Sequence, residues 1–210
     1  LLVLERSQLK NIKLAGPFYS EAEYLERASD PYELDKETVG DWSEDLVVPL
    51  IRDRSAGNLY SKFRQFPRLE NHPHFGFERV REIESSQKTR FSTDLVDPVS
   101  DLPVLTGKSF DIWQPDKGSP YGFAKPGLAN QLLKESKSKP TFVGMQFQSV
   151  DDLPLSRARI MVRDVARFSD TRTIICCLVP PGVTGIEKAP YLLRRSGSAR
   201  DEAYLLGVMS

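Results

Sequence analysis

The stretch that most constrains this fold covers residues 157–182, RARIMVRDVARFSDTRTIICCLVPPG. It reads as two strands of a β-hairpin. The first arm, 159–166, is apolar and β-branched, and Arg157, Arg159 and Arg163 occupy odd positions, which in a strand share one face. The second arm, 172–179, is almost continuously apolar, the pattern of a strand buried on both sides. A polar connection at 167–171 joins them, and Pro180-Pro181-Gly182 ends the second arm because proline cannot donate to a ladder. Arg163, Arg167 and Arg172 gather around the expected tip. The pattern predicts a central hairpin with a cationic rim.

With 210 residues the chain is long enough for one large domain or two small ones. Strands and helices alternate without a regular βαβ order. The expected class is therefore α+β, a mixed, curved sheet with the central hairpin near 157–180 and short helices flanking it. Residues 1–100 read as an acidic N-terminal α/β portion, and 101–210 as the portion holding the hairpin. Both ends look cut: the chain opens Leu1-Leu2-Val3-Leu4, and it stops at Ser210 inside a stretch of helical spacing without a stop signal. An excised piece of a longer polypeptide is expected. No apolar run approaches a membrane span and no secretory signal opens the chain. The only two cysteines, Cys176 and Cys177, are adjacent, so on a strand they point to opposite faces and cannot pair. They read as small core residues of a reducing, cytoplasmic protein.

The zero net charge hides an asymmetry. Residues 20–54 hold eleven Asp/Glu against four Lys/Arg, whereas 157–200 hold nine Lys/Arg against three Asp/Glu. The acidic part would repel a polyanion and the basic part attract one. Charge runs are as often plain solvated faces.

In order along the chain, residues 20–28 carry a Ser cap with Glu three residues on and predict a helix. Residues 45–51 read as an edge strand, and 55–66 as a helix whose face holds Leu59, Tyr60, Phe63 and Phe66. A loop at 71–76 holds both histidines. Residues 77–83 read as a strand and 84–90 as a polar connection. Residues 102–113 read as a strand broken by a turn at Thr106-Gly107-Lys108, and 128–136 as a helix. Residues 140–155 read as irregular, 189–195 as a strand and 199–210 as a helix.

Catalytic constellations are weak. Gly16-Pro17-Phe18-Tyr19 lacks the Asn/Asp and the second proline of an amino-methylating loop, and no glycine-rich cofactor loop comes after a strand. Glu135-Ser136-Lys137, with Asp111 or Asp116 upstream, matches the short string of a magnesium nuclease, but it falls at a helix end in a lysine-rich run. His72-Pro73-His74 has no further ligands for a four-coordinate metal site. Nothing combines serine, histidine and acid. The chain reads as non-catalytic, with no metal site of its own.

Arg163-Asp164-Val165-Ala166-Arg167, Thr171-Arg172-Thr173-Ile174-Ile175 and Leu178-Val179-Pro180-Pro181-Gly182-Val183 resemble the region C-terminal to the catalytic domain in adenine-N6 DNA methyltransferases. The likeness is chiefly to fused type IIG and type IIS restriction-modification enzymes. Upstream, Pro103-Val104-Leu105-Thr106-Gly107-Lys108-Ser109-Phe110 resembles their Gly-Lys segment. Downstream, Ala189-Pro190-Tyr191-Leu192 and residues 204–210 resemble the next segment of those enzymes. The likeness covers the C-terminal half; the first hundred residues fit by position more than by motif. One departure is Ser169-Asp170, where the family usually carries Thr-Asn: an acid there either caps the turn or moves the contact surface elsewhere.

The resemblance implies a target-recognition domain that docks on double-stranded DNA and positions an adenine for a methyltransferase domain elsewhere in the parent chain. S-adenosylmethionine and Mg²⁺ would belong to the parent's methyltransferase and nuclease domains. The DNA-facing candidates are Arg157, Arg159, Arg163, Arg167 and Arg172, with Arg194 and Arg195, and Lys108, Lys117 and Lys188 beside them. Internal partners are the stronger expectation for Arg163 and Arg172, which adjoin the buried arms, whereas Arg194, Arg195 and Lys108 are expected to be free. The rival reading is a scaffold that links nuclease and methyltransferase parts and docks through its acidic region.

Overall fold

The computed structural model describes residues 11–35, 51, 53–167, 170 and 172–210. Residues 1–10, all but the last residue of the expected strand at 45–51 and most of the hairpin tip lie outside them. The chain forms two compact units, Leu1–Arg68 and Leu69–Ser210. Among the described residues the architecture is α+β, with four α-helices and three small sheets, antiparallel or mixed, none of them closed or strongly curled.

The first unit pairs β1 (Asn11–Leu14) antiparallel with β2 (Tyr32–Asp35). Leu34 is buried among Ile12, Leu14 and Tyr32. Helix α1 (Glu21–Arg27) starts where expected: the Ser20 hydroxyl accepts from the Glu23 amide at 3.2 Å, and the Glu23 carboxylate accepts from the Tyr19 amide at 2.9 Å. In α2 (Arg54–Phe63) the cap is Asp53, which accepts from the Ala56 amide. Its helical spacing is real, but Leu59 and Phe63 remain more than half exposed.

In the second unit, one sheet has the order β3-β10-β7-β8, all antiparallel, from β3 (Phe77–Val80), β7 (Arg159–Val162), β8 (Cys176–Val179) and β10 (Tyr191–Arg194). The other has the order β4-β6-β5-β9, from β4 (Phe91–Ser92), β5 (Pro103–Leu105), β6 (Gly122–Ala124) and β9 (Thr184–Gly185), with β5 and β9 parallel. Both sheets draw strands from either side of residue 100.

The expected hairpin is present as β7 and β8, with Met161 opposite Cys177. Its arms have four residues each rather than eight. The chain leaves the ladder after Arg163, whose amide donates to the Ile175 carbonyl at 2.8 Å. The second arm is also not buried on both sides. β8 is an edge strand, and Leu178 is 44% exposed between buried Cys177 and Val179. Both cysteines are free and buried, and burial pushes both thiols up.

One face of the first sheet packs Met161, Cys177, Val179, Tyr191 and Leu193 on Leu105, Phe110 and Phe142. The opposite face packs Ile160, Cys176 and Leu192 with Phe77 against Leu206 of α4 (Ala199–Met209). That helix opens with a reciprocal cap between Ser198 and Asp201. Helix α3 (Leu128–Ser136) buries Leu128 and Leu132, one turn apart, beside the second sheet.

Candidate nucleic-acid interface

The turn expected at Thr106-Gly107-Lys108 forms after β5, closed by the Ser109 amide donating to the Thr106 carbonyl at 2.8 Å. Gly107 is required here. A Cβ on it would lie 2.8 Å from the Arg163 side chain and 3.0 Å from the Lys188 carbonyl. This close approach brings the 106–118 loop, the chain leaving β7 and residues 186–188 together at one end of the unit. The Asp164 amide also donates to the Lys188 carbonyl at 3.2 Å.

Farther along the loop, Asp111 and Gln114 exchange two backbone hydrogen bonds of 2.9 Å across a tight turn. Trp113, inside that turn, adopts φ +60° and is 61% exposed. A bulky residue in the left-handed region is uncommon and costs backbone strain. No feature of the sequence pattern singled it out; its φ and exposure are visible only in the fold.

Lys108, Arg167 and Lys188 are exposed and form no ion pair among the described residues. Lys117 pairs with Asp111, and that hydrogen bond holds the aspartate below its ordinary pKa. Arg163 is partly buried: it donates to the Phe110 carbonyl at 3.2 Å and lies 3.8 Å from Asp170. Asp170 also accepts from the Arg167 amide at 2.7 Å. The departing acid thus caps the turn, the first of its two expected alternatives. Arg172 is exposed and donates to the Ser210 carbonyl.

The expectation of one cationic strand face is corrected. Arg159 is only 3% exposed. Its guanidinium donates to Glu82 at 2.7 Å, to the Val183 carbonyl at 3.0 Å and to the Pro154 carbonyl at 2.8 Å, and it stacks over Tyr191. Both faces of β7 are packed, so an arginine on its odd face must find internal acceptors. Arg157, two residues before the strand, is exposed.

Arg194 and Arg195, expected to be free, are also engaged. Arg194 lies 3.7 Å from Glu202 of α4, and Arg195 donates through Nε to Glu78 of β3 at 2.8 Å. The ten candidates therefore divide. Lys108, Lys117, Arg163, Arg167 and Lys188 belong to the loop end, whereas Arg157, Arg159, Arg194 and Arg195 lie along the β7 and β10 strands and their ends. Arg172 stands beside the last residue of the chain, Ser210, just past α4.

The nuclease string is engaged as well. Burial opposes the Glu135 charge, but Arg90 and Lys139 outweigh it and its pKa falls. His72 serves its own turn, with Nδ1 accepting from the His74 and Phe75 amides at 3.2 and 3.3 Å. Among the described residues no three His, Cys, Asp or Glu side chains gather as metal ligands, and no helix is long and apolar enough to cross a membrane.

Comparison of the chain with protein-family models, curated proteins and solved structures gives no match.

Proposed function

We propose that the chain is the target-recognition part of a fused restriction-modification enzyme of the adenine-N6 DNA methyltransferase kind, docking on double-stranded DNA through its loop end. Methyl transfer and cleavage, with S-adenosylmethionine and Mg²⁺, fall to other domains of the parent. The observation that carries this reading is the grouping of Lys108, Arg167 and Lys188, each exposed and without an ion pair among the described residues, around a loop that presents Trp113. The resemblance of residues 163–183 to that family supports it independently.

In physical terms, Lys108 and Lys188 hold phosphates and set register. Arg167 has the planar fork that reads guanine O6 and N7, a pairing worth about 1–3 kcal/mol of discrimination. Trp113 supplies an apolar plane against sugar or a thymine methyl. A gel-shift titration against salt tests the proposal. Three to five phosphate contacts predict a slope of log K against log salt of about −3 to −4.5, with competition by one short sequence. Binding without sequence competition, or no binding at low salt, overturns it.

A second reading, a scaffold that links the enzyme's parts, is favoured by a different observation. Arg159, Arg194 and Arg195 all face glutamates of the same unit, which leaves a smaller cationic surface than the sequence suggests. In that case DNA leaves the chain's mobility unchanged at every salt concentration.

A further inference from the structure

Helix α2 is turned inside out. Gly57 is buried against β2: a Cβ on it would lie 2.2 Å from the Tyr32 ring, and the Ser61 hydroxyl, one turn on, is hydrogen-bonded to the Tyr32 hydroxyl. The helix therefore packs on its sheet through its small, polar side. Leu59 and Phe63 each follow Gly57 and Ser61 by two residues, about 200° round a helix, so they point away from the sheet. They are 53% and 63% exposed, and Phe66, just past the helix, is 69% exposed. An amphipathic helix ordinarily does the reverse and turns its apolar stripe to the core. Lys62, Arg64 and Arg68 are exposed along the same stretch, and residues 54–68 contain no Asp or Glu. An apolar patch with a polar rim marks an interaction surface.

Its complement lies on the loop between β4 and β5. Leu95, Val96 and Val99 are 46%, 95% and 42% exposed there, and Asp94, Asp97 and Asp101 stand exposed among them. Residues 91–107 contain no Lys or Arg. The loop is held in shape at both ends. Asp94 caps its own turn, accepting from the Val96 amide at 2.9 Å and the Asp97 amide at 3.3 Å, and the Ser100 hydroxyl donates to the Ala124 carbonyl of β6. A loop already shaped in this way loses little freedom when it docks. The Asp97 and Asp101 carboxylates form no ion pair among the described residues.

We propose that the outer face of α2 docks the 94–101 loop of a second copy of this chain. Leu95, Val96 and Val99 cover Leu59, Phe63 and Phe66, while Asp97 and Asp101 meet Lys62, Arg64 and Arg68. Charge complementarity selects this occupant. Two α2 faces repel each other, and so do two acidic loops, whereas face and loop attract. The contact is heterologous, because it joins two different patches. A helix face and one loop make a small interface, of the transient class below about 1,200 Å². It shares no residue with the DNA-facing loop end, so it stands apart from the DNA reading.

The test is sedimentation velocity of the whole chain without DNA, at concentrations of about 1–200 μM, where weak interfaces of this size fill. The sedimentation coefficient is expected to rise with concentration, and less so in high salt. Phe63→Ser and Val96→Ser, both at exposed positions, are each expected to weaken association about tenfold, whereas Val208→Ser on α4 changes nothing. The decisive pair reverses charge. Lys62→Glu with Arg64→Glu gives one variant, and Asp97→Lys with Asp101→Lys gives the other. Each alone is expected to stay monomeric, and an equimolar mixture to associate again, a recovery that unfolding cannot produce. Three results overturn the proposal. A chain monomeric at every concentration leaves the face to another protein. Association that the α2 variants weaken and the loop variants do not means that α2 pairs with its own copy. A mixture no more associated than its components removes the charge pairing that selected the loop.

Discussion

Two cationic neighbourhoods of the C-terminal unit contrast sharply. Along β7 and β10, Arg159, Arg194 and Arg195 face Glu82, Glu202 and Glu78, each from another element. At the loop end, Lys108, Arg167 and Lys188 face water. A strand places each side chain about 5 Å from those of its neighbours, so a cation there meets whatever the adjacent strand or helix presents. A cation at a turn has fewer such neighbours, although Lys117 still finds Asp111 within its own loop. Sequence treats the two groups alike; position in the fold separates them.

The largest expected effect probes the strand side. Arg159→Met alone should lower the unfolding free energy by about 3–5 kcal/mol, because it leaves Glu82 buried and unpaired. Adding Glu82→Leu should recover most of that loss. Urea unfolding measures both, and a single-variant cost below about 1 kcal/mol, the worth of a surface pair, would break the contrast.

The loop side is probed by the salt dependence of DNA binding. Removing Lys108, Arg167 and Lys188 together should flatten the salt slope by about 0.9 for each lost phosphate contact. Arg195→Ala should leave the slope unchanged and instead lower the melting temperature. If Arg195→Ala flattens the slope as much, the strand arginines are not internal.

A smaller effect concerns Trp113. Trp113→Gly should raise stability by about 1 kcal/mol, since glycine adopts φ +60° without strain, while DNA affinity falls. Unchanged DNA affinity would remove Trp113 from the interface.

The smallest effect is one of pH. Burial raises the Glu202 pKa above its ordinary 4.5, despite Arg194 nearby. A carboxyl whose pKa is raised by folding contributes fully below its unfolded pKa and loses that contribution as pH rises through the folded one. Glu202→Gln should therefore match the parent at about pH 4 and exceed it in melting temperature near pH 7. A constant difference across that range would contradict the raised pKa.

Much of the local structure was legible. Helix α3 spans the residues its spacing predicted, because Leu128 and Leu132 lie one turn apart and Gly127 sits just before them at φ +87°. The cap at Ser20 forms because its bonding groups lie three residues apart in sequence. The hairpin pairing was legible, but its length was not. The arms leave the ladder at Arg163, where Gly107, far away in sequence, comes close to its side chain. The helical face of Leu59 and Phe63 was equally legible, yet nothing among the described residues covers it.

The sequence by itself determined which segments turn, coil or extend, since those choices are made by neighbours three or four residues apart. It also supplied the charge asymmetry from which a polyanionic partner was inferred. Only the tertiary structure decided that Arg159 faces Glu82, that Trp113 stands exposed at a left-handed turn, and that β7 and β10 pair only at Met161 and Tyr191. Each depends on which sheet face meets the core. That is settled by long-range packing, in which burying a charge costs several kcal/mol unless a partner from elsewhere in the chain is waiting.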